Sequence, residues 1–241
     1  MVGILGGGRL EAADPVRLEL VRGEESAETL PQTVGFRFEL RVYVMPLAEG
    51  EFVFAFSPYA PPGESAEAAD FAVTGSLVDA ETDAVVDSIT ATEADTKMTV
   101  RLQANRMYRL DLASLRNGLA ADRSSKVVVP SGLAAALEAT ADRPAWVEGL
   151  VGAIFVPPGT TEIVGFGEPR LSLISPSKQR TDLGMAQVKE DGLAHLPVDP
   201  GEDGRFWVVG NQTRGKVFFS GAVPGWINLN QADLLLPKGG E

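Results

Sequence analysis

The sequence contains no cysteine and only one histidine among its 241 residues. The lack of cysteine excludes disulfides, zinc sites built on thiolates, thiol catalysis and cysteine-ligated iron–sulfur clusters. A single histidine excludes metal sites that need several imidazoles, and a Ser/His/Asp triad would have to use His195. The alternating pattern around His195 predicts a strand in which this side chain lies on the more exposed face.

Basic residues are also scarce, because 21 Lys and Arg stand against 33 Asp and Glu, for a formal net charge of −12. Nucleic-acid affinity depends largely on Lys and Arg that neutralise phosphates, so nucleic acid and anionic membranes are not expected as partners. No apolar run approaches the roughly 20 residues that span a bilayer, so membrane insertion is not expected either. The first ten residues lack the basic region and apolar core of a secretory signal peptide.

What the sequence does contain is a succession of short runs with a period of two, bounded by Gly, Pro, Asp and Asn. Residues 36–44 (FRFELRVYV) show the pattern most clearly, with alternate apolar side chains on one face. This pattern is typical of an all-β protein. We predict two tandem antiparallel β-sandwich modules of the jelly-roll or immunoglobulin-like kind, over residues 10–125 and 146–241.

The segment between the two predicted modules, residues 126–145, has a different composition. Residues 131–141 (SGLAAALEATA) are rich in alanine, begin with a serine suited to an N-cap and stop shortly before Pro144. Alanine has the highest helix propensity, so the sequence predicts one short helix in this connecting segment.

The two halves resemble each other in the order of their strands and turns, which indicates a diverged repeat. Residues 40–46 (LRVYVMP) correspond to residues 151–157 (VGAIFVP), and each run ends in proline. Residues 105–110 correspond in the same way to residues 204–209. This alignment makes Tyr108 and Trp207 equivalent and predicts that both belong to the core.

The second half also carries motifs of a known kind of domain: residues 154–161 (IFVPPGTT), the strand and turn at 171–178 (LSLISPSK), the GRFW at 204–207, and the closing VPGW at 223–226 with LLLP at 234–237. In these it resembles accessory β-sandwich domains of bacterial secreted and surface proteins, similar to bacterial pre-peptidase C-terminal domains. The resemblance implies a non-catalytic module that assists binding or surface attachment, outside the cytoplasm. Ser175-Pro176-Ser177 replaces the acidic turn usual in such domains, so no ligand role transfers to it.

Acidic turns raise the question of a metal site. Residues 199–204 (DPGEDG) place three carboxylates beside two glycines. Calcium binds several carboxylate and carbonyl oxygens, which makes Asp199, Glu202 and Asp203 the candidate ligands. The alternative interpretation is a solvated turn whose proline and glycines set the backbone.

Aromatic side chains are the usual means of binding sugars, and the larger ones with polar edges are few: Tyr43, Tyr59, Tyr108, Trp146, Trp207 and Trp226. Tyr59 lies in the proline-rich loop 57–63, where exposure is expected, so it is the predicted ligand-binding residue.

Three classes of function stay open. We expect a non-enzymatic accessory module that binds a glycan or a protein partner. The second class is a structural component that self-assembles into homo-oligomers. The third is a glycoside hydrolase, which needs two carboxylates in one pocket with a raised pKa on one of them. No nucleophile elbow, phosphate loop or zincin helix occurs in the sequence.

Overall fold

The computed structural model describes residues 18–22, 30–59, 70–167, 171–211, 214–230 and 232–238. These residues form strands and one single-turn 3-10 helix, Leu183–Met185, and the described part contains no α-helix. The all-β fold class is therefore confirmed. The strands are β1 Leu18–Arg22, β2 Gln32–Phe36, β3 Glu39–Pro46, β4 Gly50–Ser57, β5 Phe71–Asp79, β6 Val85–Ala91, β7 Thr96–Leu102, β8 Tyr108–Arg116, β9 Leu119–Ala120, β10 Ser125–Val129, β11 Leu133–Glu138, β12 Ala145–Glu148, β13 Val151–Val156, β14 Glu162–Gly167, β15 Leu171–Ile174, β16 Arg180–Asp182, β17 Gln187–Val188, β18 Ala194–Pro197, β19 Arg205–Asn211, β20 Arg214–Ser220, β21 Trp226–Asn228 and β22 Asp233–Pro237.

The strands pair antiparallel into two large sheets and one small one. The nine-stranded sheet has the order β17-β18-β14-β20-β12-β2-β10-β4-β7. The eleven-stranded sheet has the order β16-β15-β19-β13-β21-β11-β3-β8-β5-β6, with β9 added beside β8, and β1 pairs with β22. The apolar faces of the two large sheets share one hydrophobic core, in which Phe36 and Phe56 of the first sheet meet Leu77, Leu110 and Ile154 of the second.

Both large sheets combine strands from the two halves of the sequence. In the nine-stranded sheet the halves meet where β2 pairs with β12, through Phe36 opposite Val147. In the eleven-stranded sheet they meet where β11 pairs with β21. The sequence alignment of the halves pairs β3 with β13 and β8 with β19. In the sheet, β3 and β8 lie on one side of this junction, and β13 and β19 lie in the corresponding order on the other side. The division into modules at 10–125 and 146–241 stays a prediction.

The predicted helix over residues 131–141 is wrong, because this stretch contains the strand β11. All six residues of β11 are buried, and the strand lies between β3 and β21 in the middle of the sheet. Leu133, Ala135 and Leu137 face the main core, while Ala134 and Ala136 face a second cluster on the outer side. A helix propensity of less than 1 kcal/mol per residue is overridden by ladder hydrogen bonds and burial on both faces. The predicted connecting segment, residues 126–145, thus supplies most of β10 to the nine-stranded sheet and all of β11 to the eleven-stranded sheet.

The small sheet covers part of the outer face of the eleven-stranded sheet. Leu18 of β1 and Leu235 of β22 pack there with Tyr43, Met45 and Trp226. Trp226 and Leu235, from the last part of the sequence, are buried in this cluster. Among the described residues, no helix is long and apolar enough to cross a membrane.

Candidate functional site

The eleven-stranded sheet carries a cleft of about 1120 Å³ on its outer face, the face turned away from the core. Antiparallel register places four cleft residues directly opposite one another on adjacent strands: Arg41 on β3, Asp111 on β8, Ser76 on β5 and Ser88 on β6. The next row, two residues along each strand, is formed by Glu39, Ala113, Thr74 and Thr90. Alternation explains the polar floor, since every second residue of these strands faces away from the core.

Among the described residues, the side-chain oxygens of Thr74, Ser76, Ser88 and Thr90 have no hydrogen-bond partner. Ser172 on β15 of the same sheet differs, because Arg180 donates to its Oγ from Nε at 3.0 Å and from Nη2 at 2.8 Å. The cleft therefore presents hydroxyls that are available to a ligand.

An ion network forms one side of the cleft. Arg41 contacts Asp111 at 2.6 Å through Nε and Glu138 at 3.4 Å through Nη1. Arg109 contacts the second oxygen of Asp111 at 2.9 Å, and Arg143 approaches Glu138 at 3.9 Å. Five charged side chains from four segments are thus linked in one chain, which fixes the positions of the two carboxylates.

Glu138 is the most deeply buried charged group of the cleft, with 9% of its side chain exposed. Burial raises the pKa of this carboxyl above its ordinary value, while Arg41 and Arg143 oppose that rise. Glu138 lies at the end of β11, where the chain leaves the eleven-stranded sheet toward β12.

Aromatic rings close the other side of the cleft. Phe38 and Trp146 meet in a T-shaped arrangement with ring centroids 5.1 Å apart. The guanidinium of Arg37 lies 5.0 Å from the centroid of Trp146, within the range of a cation–π contact. Phe38 has φ 56°, because the chain turns sharply there as it passes from the nine-stranded to the eleven-stranded sheet.

Tyr59, the predicted ligand-binding residue, does not line the cleft. Its half-buried ring packs edge-on against Phe71 with centroids 5.1 Å apart, and the guanidinium of Arg123 lies 5.8 Å from its centroid. The rest of its proline-rich loop, residues 60–63, lies outside the described residues.

The acidic turn at residues 199–204 connects three loops. Glu202 is buried, and its Oε1 accepts from Ser175 Oγ at 2.9 Å and from Ser177 N at 3.2 Å. Hydrogen bonds from Ser177 and Ser175 lower the pKa of Glu202 against the effect of burial. Asp203 Oδ2 accepts from Gly159 N at 2.7 Å. These bonds favour the structural interpretation of the turn.

The candidate calcium ligands Asp199, Glu202 and Asp203 are not gathered around one point by these bonds. In the described part of the chain, no group of three or more His, Cys, Asp or Glu side chains could hold a metal ion. Asp199 and Glu202 border a small cavity of about 170 Å³ beside Trp207. Calcium binding by this turn stays a prediction.

Tyr108 and Trp207 are both buried, which confirms their predicted place in the core. Each side chain also reaches back five residues to the turn before its strand. The hydroxyl of Tyr108 accepts from Gln103 N at 3.1 Å, and Trp207 Nε1 donates to Glu202 O at 3.0 Å.

His195 lies between two carboxylates on the strand β18. Its Nδ1 is 3.1 Å from Glu162 Oε2, and its Nε2 is 3.0 Å from Asp191 Oδ2. The hydrogen bond with Asp191, followed by the one with Glu162, raises the pKa of His195 against the effect of burial. The imidazolium thus joins the turn before β18 to β14, a structural role.

This contact predicts a loss of stability at alkaline pH. Because the folded-state pKa of His195 lies above its ordinary 6.5, its contribution is complete below pH 6.5 and is lost as pH rises through the raised value. We expect the melting temperature, measured by scanning fluorimetry from about pH 6 to about pH 9, to fall across that window. The His195→Gln variant should lack this step, and an equal fall in the variant would assign the pH dependence to another group.

Sequence reasoning missed the cleft residues. Arg41 was visible as an outward-facing position of residues 36–44, and Trp146 was among the six large aromatics. Their meeting depends on which strands are neighbours, and the strand order was not readable from periodicity.

Comparison of the chain with protein-family models, with curated proteins and with solved structures yields no match.

Proposed function

We propose that the protein is a non-enzymatic binding module whose cleft on the eleven-stranded sheet takes a glycan. The proposal rests on one observation: the hydroxyls of Thr74, Ser76, Ser88 and Thr90, which have no hydrogen-bond partner in the described part of the chain, line the cleft beside Arg41 and Asp111. A sugar offers several hydroxyls at close spacing, each able to donate and accept, and such a ligand would satisfy both rows of the floor. The aromatic wall of Phe38 and Trp146 supplies the apolar surface that the C–H faces of a sugar require.

The charges of the cleft favour a neutral glycan. Its lining includes four carboxylates and two guanidiniums, namely those of Glu39, Asp111, Glu138, Asp142, Arg41 and Arg143. Together with the net charge of −12, this excess of negative charge repels sulfated and uronic acid polymers. Binding to glycans at a bacterial cell surface is also the setting that the family resemblance implies.

The test removes two hydroxyl groups from the floor of the cleft while keeping the shape of the side chains. In the double variant Thr74→Val and Thr90→Val, each valine keeps the β-branched form of threonine, so the strands should persist. We expect affinity for a neutral glycan to fall about thirtyfold, because the two lost hydrogen bonds are worth about 1 kcal/mol each. The measurement is a screen of neutral and acidic glycans on an array, followed by calorimetric titration of the neutral oligosaccharides that bind.

Thr99→Val provides the matched control, because Thr99 is exposed on β7 of the nine-stranded sheet and does not line the cleft. Its affinity should equal that of the unmodified protein. A protein that binds no neutral glycan, or a double variant with unchanged affinity, would overturn the proposed function.

A hydrolase is the second candidate, because Glu138 and Asp111 lie in one cleft and burial raises the pKa of Glu138. Such a pair meets the general requirement for an acid and a second carboxylate in glycoside hydrolysis. Against it, Arg41 binds both groups and holds them in ion pairs. If the protein releases reducing ends from a neutral oligosaccharide, and the Glu138→Gln variant does not, the result would favour a hydrolase over a non-enzymatic binding module.

Self-assembly through an edge strand is the third candidate. Val85 and Val86 are exposed on β6, which ends the eleven-stranded sheet. However, the register of β6 is irregular beside Leu77 and Val78, and Asp87 adds a charge to the edge. Bulges and charges are the usual means by which proteins prevent edge pairing. A molecular mass that rises with concentration in size-exclusion chromatography would favour this candidate.

A further inference from the structure

The nine-stranded sheet carries three half-buried aromatic residues and one lysine in a strip on its outer face. Trp146 on β12 is directly opposite Lys216 on β20. Two residues further along β20, Phe218 is directly opposite Phe166 on β14. We call these four residues the aromatic strip. They face away from the core, since their neighbours Ala145, Val217 and Phe219 belong to it.

The two phenylalanines of the aromatic strip stack, with ring centroids 5.6 Å apart and an angle of 7° between the planes. The Nζ atom of Lys216 lies 5.6 Å from the centroid of Phe166 and 5.4 Å from that of Phe218. The strip thus combines flat apolar rings with a hydrogen-bond donor, on a face where polar residues are the rule for a solvated sheet.

The aromatic strip continues the wall of the cleft. Trp146 belongs to both, and the cleft is also lined by Pro144 and Arg143 on the segment that leads into β12. That segment lies beside β20, because Phe219 N donates to Ala139 O at 2.9 Å and Thr140 forms a bridge with Phe219. Beyond Trp146, the strip continues on β20 with Lys216 and then Phe218.

We propose that the aromatic strip extends the binding site of the cleft, so that the ligand is an extended chain of neutral sugars. This inference rests on the proposed function and adds the length of the ligand to it. The strip spans three adjacent strands, which corresponds to about 10 Å at the usual spacing between strands. A chain that occupies both the cleft and the strip therefore needs several sugar units. The exposed parts of the Phe166 and Phe218 rings offer apolar surface to the C–H faces of sugars, and Lys216 Nζ beside them can donate to a sugar hydroxyl.

The test compares short and long ligands of one chemistry. The probes are cellobiose and cellohexaose, with chitobiose and chitohexaose as a second series, titrated by calorimetry into the full chain. We expect the hexamer to bind about tenfold more tightly than the dimer, because stacking on two further rings adds on the order of 1–2 kcal/mol. In the double variant Phe166→Ala and Phe218→Ala, the affinity for the hexamer should fall to that for the dimer, and the affinity for the dimer should not change.

The matched control is the double variant Phe155→Ala and Phe206→Ala. These two rings also form a cross-strand pair, 5.1 Å apart, but they lie on β13 and β19 of the other sheet and do not line the cleft. This variant should keep the full preference for the hexamer.

The outcomes separate the inference from the proposed function. A dimer that binds as tightly as the hexamer, or a hexamer affinity that the Phe166 and Phe218 changes leave intact, overturns the inference and leaves the cleft as a site for short ligands. Failure of both series to bind overturns the inference together with the proposal of a neutral glycan. A hexamer affinity that falls equally in the control variant also overturns the inference, provided that both variants keep the melting temperature of the unmodified protein.

Discussion

Replacing Phe36 by alanine should lower the free energy of unfolding by about 3–5 kcal/mol, the largest effect expected from one core substitution. Phe36 is fully buried on β2, and it lies directly opposite Ser125 of β10 on one side and Val147 of β12 on the other. The ring therefore fills the core at the junction between the two halves of the chain. Its removal leaves a cavity that rigid sheets on both sides cannot close.

The same variant tests whether the shared sheets make one cooperative unit. Because one core contains residues of both halves, scanning calorimetry should show a single transition that moves to lower temperature in Phe36→Ala. Val85→Ala, at a position that is 63% exposed, should change stability by no more than about 0.5 kcal/mol. Two transitions, of which only one shifts, would show instead that the two predicted modules unfold independently.

Replacing Arg41 by alanine should cost about 3 kcal/mol of stability at neutral pH, because it leaves buried Glu138 without its nearer cation. The loss should depend on pH in a defined direction. The folded-state pKa of Glu138 is already raised by burial, and removal of Arg41 raises it further. A carboxyl of this kind contributes its full stability below its ordinary pKa of 4.5 and loses it as pH rises through the folded-state value.

The loss in free energy of unfolding caused by Arg41→Ala should therefore become smaller toward acidic pH, as measured by urea unfolding from about pH 4 to about pH 7. Adding Glu138→Gln to Arg41→Ala should restore most of the stability at neutral pH, since the amide carries no charge to desolvate. If the double variant is as unstable as Arg41→Ala, the arginine stabilises the fold through its ion pair with Asp111 or the packing of its aliphatic stem, and not through Glu138.

The fold class was predictable because alternation is a local property of the sequence. Residues 36–44 show it directly, and β3 has Leu40, Val42 and Val44 in the core as the pattern requires. The error at residues 131–141 has the opposite cause. Alanine suits a helix by local propensity, but its small side chain also suits a central strand that is packed on both faces, and only the tertiary structure decides between them.

The candidate site was less predictable than the fold. Its position in a loop makes Tyr59 the ligand-binding residue that the sequence predicts. The cleft, in contrast, is built on strands, and its polar groups come from rows of residues across neighbouring strands. Arg41 and Asp111 are 70 residues apart in the sequence and become partners only because β3 pairs with β8. The acidic turn at residues 199–204 was recognisable as a turn, but the burial of Glu202 depends on Ser175 and Ser177 from another loop.

Binding of a neutral glycan in the cleft is tested most directly by titrating the isotope-labelled protein with cellohexaose and recording the chemical shifts of its backbone amides. We expect the shifts to cluster on Thr74, Ser76, Ser88 and Thr90 in the cleft, on the flanking Trp146 and on Phe166 and Phe218 of the aromatic strip, and to saturate with one affinity. Shifts centred on Tyr59 or on residues 199–204, or no shifts at saturating ligand, would contradict this expectation.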